Sequence, residues 1–362
     1  MPTHDPVHVL DDYYLAITLL VTVAYQLIGF AFAFTFKFDK LTDFMGGTNF
    51  VLLGILTLAL SGTTNARQII TSMMLMLWAA RLSGFLLFRI LKTGKDDRFD
   101  DKRDKFFPFL GFWVFQMFWV WTVSMPVVIL NSPNVLQYRQ PSFGKGTDIF
   151  AIIWFALHFG LEALSDIQKY RFKQGAGSQP GAVNNKGFWK YSRHPNYFGE
   201  IMLAIYIIAI TPASYGTVPS GSGAYAALYA SIVGFIFLTT LLLFVSGLTL
   251  QVMETPKRQI EATISNTNIQ ERPGAKKRYE KGTGWHDYEK YLQETSILFP
   301  MPPAIWRNLP VIVKRTVGLE FPIYVFDPAK HADQDVVKQN RAEQGQSGSE
   351  GGQHRQSTEP LN

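Results

Sequence analysis

The chain has 362 residues, 47% of them apolar and 14% aromatic, and a formal charge of +6. It contains no cysteine, which excludes disulfides, thiolate metal sites and cysteine nucleophiles and leaves the redox compartment unreadable. The positive charge suits cytosol-facing loops or an anionic ligand, and since no nucleic-acid motif accompanies it we expect no nucleic-acid partner.

Mean hydropathy is only slightly positive, so the apolar residues must be segregated. Runs at Tyr14 to Phe36, Phe44 to Leu60, Ile69 to Leu91, Phe109 to Leu130, Ile149 to Leu164, Ile201 to Tyr215 and Tyr225 to Leu250 each approach the length that spans a hydrocarbon core of about 30 Å, some with tilt. The expected fold is an all-α polytopic membrane protein with about seven transmembrane helices. The first run lacks a basic lead and a small-residue cleavage site and follows Asp5, Asp11 and Asp12, so residues 1–13 read as a tail before a retained helix. Lys and Arg alternate between loops: Lys37 and Lys40, Lys92 to Lys105, Lys169 to Arg193, and Lys257 onward, with few around Asn65, Ser142 and Thr217. That bias predicts a lumenal or exterior N-terminus and a cytosolic C-terminus, with the motif-bearing loops together on the cytosolic side.

In chain order, the third run carries Trp78, Arg81 and Arg89. Arg89 is near a helix end and can snorkel, whereas Arg81 lies about 15 Å inside the helix, where an ionised group usually marks a functional cavity. The loop Lys95 to Arg103, which includes Arg98, reads as a solvated turn laced with ion pairs or as a ligand site. The fourth run holds Gln116 within an aromatic wall that includes Trp119; its amide either bonds a neighbouring helix or orients a buried apolar ligand. Pro126 is expected to kink this helix. At the end of the fifth run Glu162, Asp166 and Lys169 share a helix face. They form either a local ion pair or a polar cavity in which Asp166 meets ribose hydroxyls and Lys169 or Arg171 meets phosphate.

Gly175 to Gly181 resembles a dinucleotide fingerprint superficially, but Pro180 takes its sixth position and no strand precedes it, so a flexible loop is expected. The densest motif follows: Gly187-Phe188-Trp189-Lys190-Tyr191-Ser192-Arg193-His194-Pro195-Asn196-Tyr197-Phe198-Gly199-Glu200. Pro195 suits the first turn of a helix, with Arg193 and His194 beside its amides; Asn196 and Tyr197 supply donors and acceptors, Gly199 a close backbone approach, and Glu200 a carboxylate at the membrane edge. After the seventh run, Gln259 to Gly284 reads as a loop insertion. Tyr288 and Tyr291 then form an aromatic face on a short helix, which packs on the membrane-proximal surface or closes over a nucleotide. The domain limits are 14–303 for the membrane domain, with motifs in 78–103, 162–200 and 254–300, then 304–334 as a C-terminal cytosolic extension and 335–362 as a tail of disordered composition.

The string Gly187-x-Trp189-x-x-Ser192-Arg193-His194-Pro195-Asn196-Tyr197-x-Gly199-Glu200 resembles the signature of the membrane steroid 5-alpha-reductase C-terminal superfamily, and the chain is most similar to its DUF1295 branch. Leu77-Trp78-x-x-Arg81-Leu82 with Arg89, Asp97-Arg98-Phe99 with Arg103, Gln116 with Pro126, Asp166-x-Gln168-Lys169, Ser246-Gly247 with Glu254, and Tyr288-x-x-Tyr291-x-x-x-Thr295-Ser296 before Phe299-Pro300 extend the resemblance. It implies an NADPH-dependent reductase acting on a carbon–carbon double bond of a lipophilic, steroid-, sterol- or enoyl-lipid-like substrate, with a cofactor cavity open to the cytosol and the endoplasmic reticulum as compartment. It further implies cofactor contacts from Arg81, Arg89, Arg98, Asp166, Lys169, Arg193, His194, Asn196 and Tyr197, and from Arg171, Arg258 and Tyr288. Gln116 and Trp119 are the expected substrate contacts, and Tyr197, polarised by Glu200, the expected proton donor. No metal is implied; membrane lipid is the other expected partner. The insertion separates Glu254 from the Tyr-x-x-Tyr segment, and the Gln-Glu pair that steroid reductases place near the substrate carbonyl is absent, which leaves the lipid class open. Isoprenylcysteine and phospholipid methyltransferases share an Arg-His-Pro-x-Tyr-x-Gly core, so an S-adenosylmethionine-dependent membrane methyltransferase is the alternative chemistry, and a non-catalytic lipid-binding scaffold the alternative without chemistry.

Overall fold

The structure, a computed structural model, describes residues 3–93, 104–175, 179–245 and 271–338. Among the described residues all regular structure is helical, and the chain is an all-α polytopic membrane protein. It forms two compact units, Met1–Ala163 with Gly199–Ile260, and Leu164–Phe198 with Glu261–Asn362.

Six helices of the described residues are long and apolar enough to cross a bilayer. They are α1 (Leu15–Thr35), α2 (Thr42–Ser61), α3 (Ala66–Thr93), α4 (Phe106–Leu130) and α5 (Gly146–Gln174), and the stretch Gly223–Phe244, built from Gly223–Ala230, Ile232–Thr240 and a π-helical turn that begins at Leu241. In the first unit the usual pattern of water-soluble proteins is reversed. On α1 the buried face is Thr18, Thr22, Gln26, Gly29, Phe30 and Ala33, at helical spacing, while Leu20, Leu27 and Ile28 are exposed. Lipid satisfies the outward aliphatics, so small and polar residues are left for close helix contacts. Gln26 Nε2 donates to Asn49 Oδ1 at 3.0 Å, Gln116 Nε2 to Gln26 Oε1 at 2.8 Å and to Thr42 O at 3.1 Å, and Asn131 Nδ2 to Ser72 Oγ at 2.9 Å. These bonds join α1, α2, α3 and α4.

The strongest of these links joins α3 to α5. Arg67 Nε and Nη2 both donate at 2.8 Å to the two carboxylate oxygens of Asp148. Arg67 also donates to the carbonyls of Pro141 and Ser142, and Asp148 Oδ2 accepts from the amides of Gly144 and Lys145. Both side chains are almost completely buried. A desolvated pair persists when geometry and extra bonds satisfy each charge, as they do here.

The sixth apolar run departs from expectation. Instead of one span over Ile201 to Tyr215, a helix α6 (Pro195–Ile201) ends, Met202 to Ala204 leave helical geometry, and α7 (Ile205–Ala209) resumes. Ala204 has φ +59°, a conformation that costs a non-glycine residue about 1 kcal/mol or more. No Gly or Pro lies between Ile201 and Ile205 to announce the break. Non-helical backbone at membrane depth survives where it lines a cavity or is buried in protein, and this segment does both.

In the second unit the densest sequence motif is fastened to the segment after α9, where α8 is Glu271–Lys281 and α9 is Trp285–Glu294. Ser192 Oγ donates to Leu298 O at 2.7 Å, Arg193 N to Ser296 O at 2.8 Å, Met301 N to Tyr191 O at 2.9 Å and Tyr291 Oη to Trp189 O at 2.7 Å. Trp189 Nε1 donates to Ser165 O, and Phe188 N to Gln168 Oε1. The second half of the expected loop insertion is α8, a helix polar on nearly every side, with a Lys276–Glu280 pair at i,i+4; it lacked the apolar period by which helices are recognised. Residues 179–182 are pinned and not free: Arg278 donates to the carbonyls of Gly181 and Ala182. Gly181 and Gly284, both at positive φ, approach so closely that a Cβ on Gly181 would lie 2.9 Å from Gly284 backbone. Residues 334–338 still form a helical turn with Val337 buried.

A pH response is built into residues 327–331. The Asp327 amide donates to His331 Nδ1 at 2.8 Å, and burial first, then Arg272, lowers the imidazole pKa below its ordinary value. The unfolded chain therefore binds the proton more readily. The contribution to stability is complete above the unfolded value of about 6.5 and declines as pH falls below it. Amide exchange at Asp327, corrected for intrinsic rate, should accelerate on acidification, and His331→Phe should remove that response.

Candidate functional site

Two groups of polar side chains carry the chemistry, one in each unit. In the membrane unit Arg81 of α3 forms an ion pair with Glu162 of α5. Arg81 is only slightly exposed and Glu162 is buried. Retaining an ion pair at this depth is expensive and is a mark of function. One turn back on α5, His158 is buried, and its Nδ1 lies 2.9 Å from Trp154 O. A carbonyl can only accept, so Nδ1 is the donor of this bond. The imidazole lies against Trp154, tilted by 33° with centroids 4.4 Å apart.

Gly199 presses α6 onto this face of α5. A Cβ at Gly199 would meet Glu162 Cβ and His158 O, each at 2.8 Å. The next residue, Glu200, is buried and reaches a cavity of about 240 Å³ whose lining is otherwise almost wholly apolar. Trp78, Pro126, Trp154, Phe235 and the broken segment Ile201 to Ile207 complete its wall. The indole Nε1 of Trp78 is buried with no hydrogen-bond partner among the described residues. The chamber thus offers an apolar volume and a carboxyl group. Gly199→Val should force α6 off α5 and shift Glu200. Overpacking of this kind costs about 1–3 kcal/mol of stability, read from thermal unfolding of the variant.

In the second unit Asn196 Nδ2 donates to Asp166 Oδ1 at 3.2 Å. His194 and Tyr197 stack with centroids 5.3 Å apart. Lys169 Nζ lies 5.1 Å over the Trp189 ring, and Arg278 lies 4.6 Å over Tyr288. Arg193 is buried and forms an ion pair with Glu320. Asn196 Oδ1 and Ser165 Oγ are buried with no partner among the described residues. These atoms can bond hydroxyls, and the guanidinium can bond a phosphate in exchange for a carboxylate, so the residues present fit a polyhydroxylated anionic cofactor.

The structure thus places Arg81 and Glu200 in the first group, and Asp166, Lys169, Arg193, His194, Asn196, Tyr197 and Tyr288 in the second unit. Arg89 and Arg171 are exposed on their helices. Arg98 and Arg258 lie outside the described residues, as do Glu254 and residues 259–270. Gln116 donates its amide hydrogens to the helix-to-helix bonds given above, the first of the two roles its position allowed. Trp119 packs edge-on against Phe50, with centroids 4.9 Å apart. Neither Gln116 nor Trp119 lines the cavity. His158 and Glu320 were not singled out from the sequence. His158 had a signal, an ionisable residue inside an apolar run; Glu320 had none, being 127 residues from its partner. Among the described residues no cluster of three or more His, Asp or Glu could hold a metal ion.

The chain matches one family, described as a protein of unknown function (DUF1295), over residues 29–264. No curated protein and no solved structure matches it.

Proposed function

The chain belongs to the DUF1295 family, and from that premise we propose that it is a membrane-embedded reductase using NADPH to saturate a carbon–carbon double bond of a lipophilic substrate. The observation that carries the reading is the Arg81–Glu162 pair held at membrane depth on the helix face where Gly199 seats Glu200 at an apolar chamber.

When bound, NADPH supplies a hydride. In the second unit Arg193 would bind a phosphate, with Lys169 adding positive charge, and Asp166 and Asn196 would accept from and donate to ribose hydroxyls. Fixed cationic groups suit the 2′-phosphate that distinguishes NADPH from NADH. In the membrane unit the apolar wall holds the substrate body and excludes water. Glu200 holds or releases a proton at its carboxyl oxygens, with Tyr197 the phenol nearest to it in sequence; general acid catalysis of this kind contributes about 10²- to 10⁴-fold. The Lys and Arg bias of the loops favours a cytosolic face for the cofactor, and the endoplasmic reticulum is the proposed compartment.

The test is binding by the full-length protein in detergent of NADPH, NADH and S-adenosylmethionine, by calorimetry and thermal shift. A ligand of the native state must raise apparent stability. Stabilisation by NADPH in preference to NADH is the expected result. Stabilisation by S-adenosylmethionine alone would replace hydride transfer with methyl transfer, and no response in folded protein would favour the scaffold.

A further inference from the structure

Residues 303–320 form a small knot around Trp306, which is fully buried. Trp306 N bonds Pro302 O, Lys314 N bonds Pro310 O, Gly318 N bonds Val313 O and Glu320 N bonds Lys314 O, and Lys314 Nζ lies 5.4 Å over the Trp306 ring. A core this small should hide its aliphatic residues first. It instead turns Ile305, Val311, Ile312 and Val317 outward, at 52%, 59%, 70% and 72% exposure. Arg307 and Arg315 are exposed beside them. The acid of this stretch, Glu320, is paired with Arg193, so the outward charge of the knot is positive.

We propose that this knot is an interfacial membrane anchor, its Ile and Val side chains entering the headgroup boundary and Arg307 and Arg315 engaging anionic lipid. The composition favours a bilayer over a protein partner. Protein interfaces draw their binding energy from Trp, Tyr and Arg set in pockets, and valine is under-represented there; exposed aliphatics ringed by basic residues are the pattern of a segment lying in the interface plane. The chain already spans a bilayer, so that surface is present at high effective concentration without any partner. The anchor is independent of the reaction proposed above. Because Glu320 at its end holds Arg193, it also fixes the densest polar motif relative to the membrane surface.

The absence of cysteine makes the test clean. Single-cysteine full-length variants Ile312→Cys, Val317→Cys and, as an exposed polar control, Asp335→Cys are labelled with a fluorophore and reconstituted in vesicles of phosphatidylcholine with or without phosphatidylserine. Labels at 312 and 317 should be quenched by spin-labelled lipid and shielded from iodide, and the label at 335 should show the reverse. Arg307→Gln and Arg315→Gln should each lower the docking equilibrium constant by about five-fold in phosphatidylserine vesicles. Equal iodide access at all three positions overturns the proposal. Shielding that persists in detergent and rises with protein concentration assigns the surface to a second copy, and shielding that needs added lysate assigns it to a protein partner; either result overturns the anchor.

Discussion

Asp148→Ala weakens the membrane unit by about 3–5 kcal/mol, the cost of leaving one member of a buried ion pair uncompensated. The loss falls at this end of the molecule because Arg67 has no solvent to retreat into: its bidentate bonds to Asp148 are the main neutralisation of a buried guanidinium. The amides of Gly144 and Lys145 lose their acceptor in the same variant, and the start of α5 loses its anchor to α3. Unfolding of the reconstituted or micellar protein reads the effect. The apolar double replacement Arg67→Met with Asp148→Leu should recover much of the loss, because an apolar pair of similar volume needs no desolvation. A drop below about 1 kcal/mol for Asp148→Ala, the range of an exposed pair, would mean that water reaches the site.

Arg193→Ala and Glu320→Gln should move cofactor affinity in opposite directions. If the proposed function holds, removing Arg193 would delete a charge-assisted bond to phosphate worth about 1.5–3 kcal/mol, and NADPH affinity should fall about 10- to 150-fold. Removing the charge of Glu320 takes away the carboxylate that competes with phosphate for Arg193, so on the proposed function affinity should rise, with a loss of stability from the broken pair. Calorimetric titration of both variants against the native protein separates these effects. A fall in affinity for both would make the pair purely architectural.

The helical class and most of the spans are legible in the sequence because lipid imposes a length and a composition on each helix, and α1 to α5 carry both. The break at Met202 to Ala204 is not legible: Ile201 to Ile210 contain no breaker, and only the packing of α3, α4 and α5 around the cavity explains it. Helix α8 is hidden for the opposite reason, since a helix without an apolar stripe looks like a loop. The central motif is legible as a string of unusual polar residues, and the structure gives several of its members a holding role as well: Trp189, Ser192 and the backbone of Arg193 fasten the loop to Ser165, Leu298 and Ser296. Pairs distant in sequence, Arg67 with Asp148 and Arg193 with Glu320, depend on tertiary approach that no local pattern encodes. Gln116 shows a limit of another kind, because an amide in an apolar helix reads the same whether its partner is a ligand or the neighbouring Gln26.

The most direct measurement follows the hydride itself. Full-length protein in nanodiscs is incubated with membrane lipid extract and NADPH deuterated at the nicotinamide C4, and the lipids are analysed by mass spectrometry. Deuterium is expected at a newly saturated carbon of a lipid, gained with one solvent proton, and lost in Arg193→Ala. Folded, NADPH-binding protein that leaves every lipid unlabelled from either face of the nicotinamide, or that transfers a methyl group from S-adenosylmethionine instead, would contradict the proposed function.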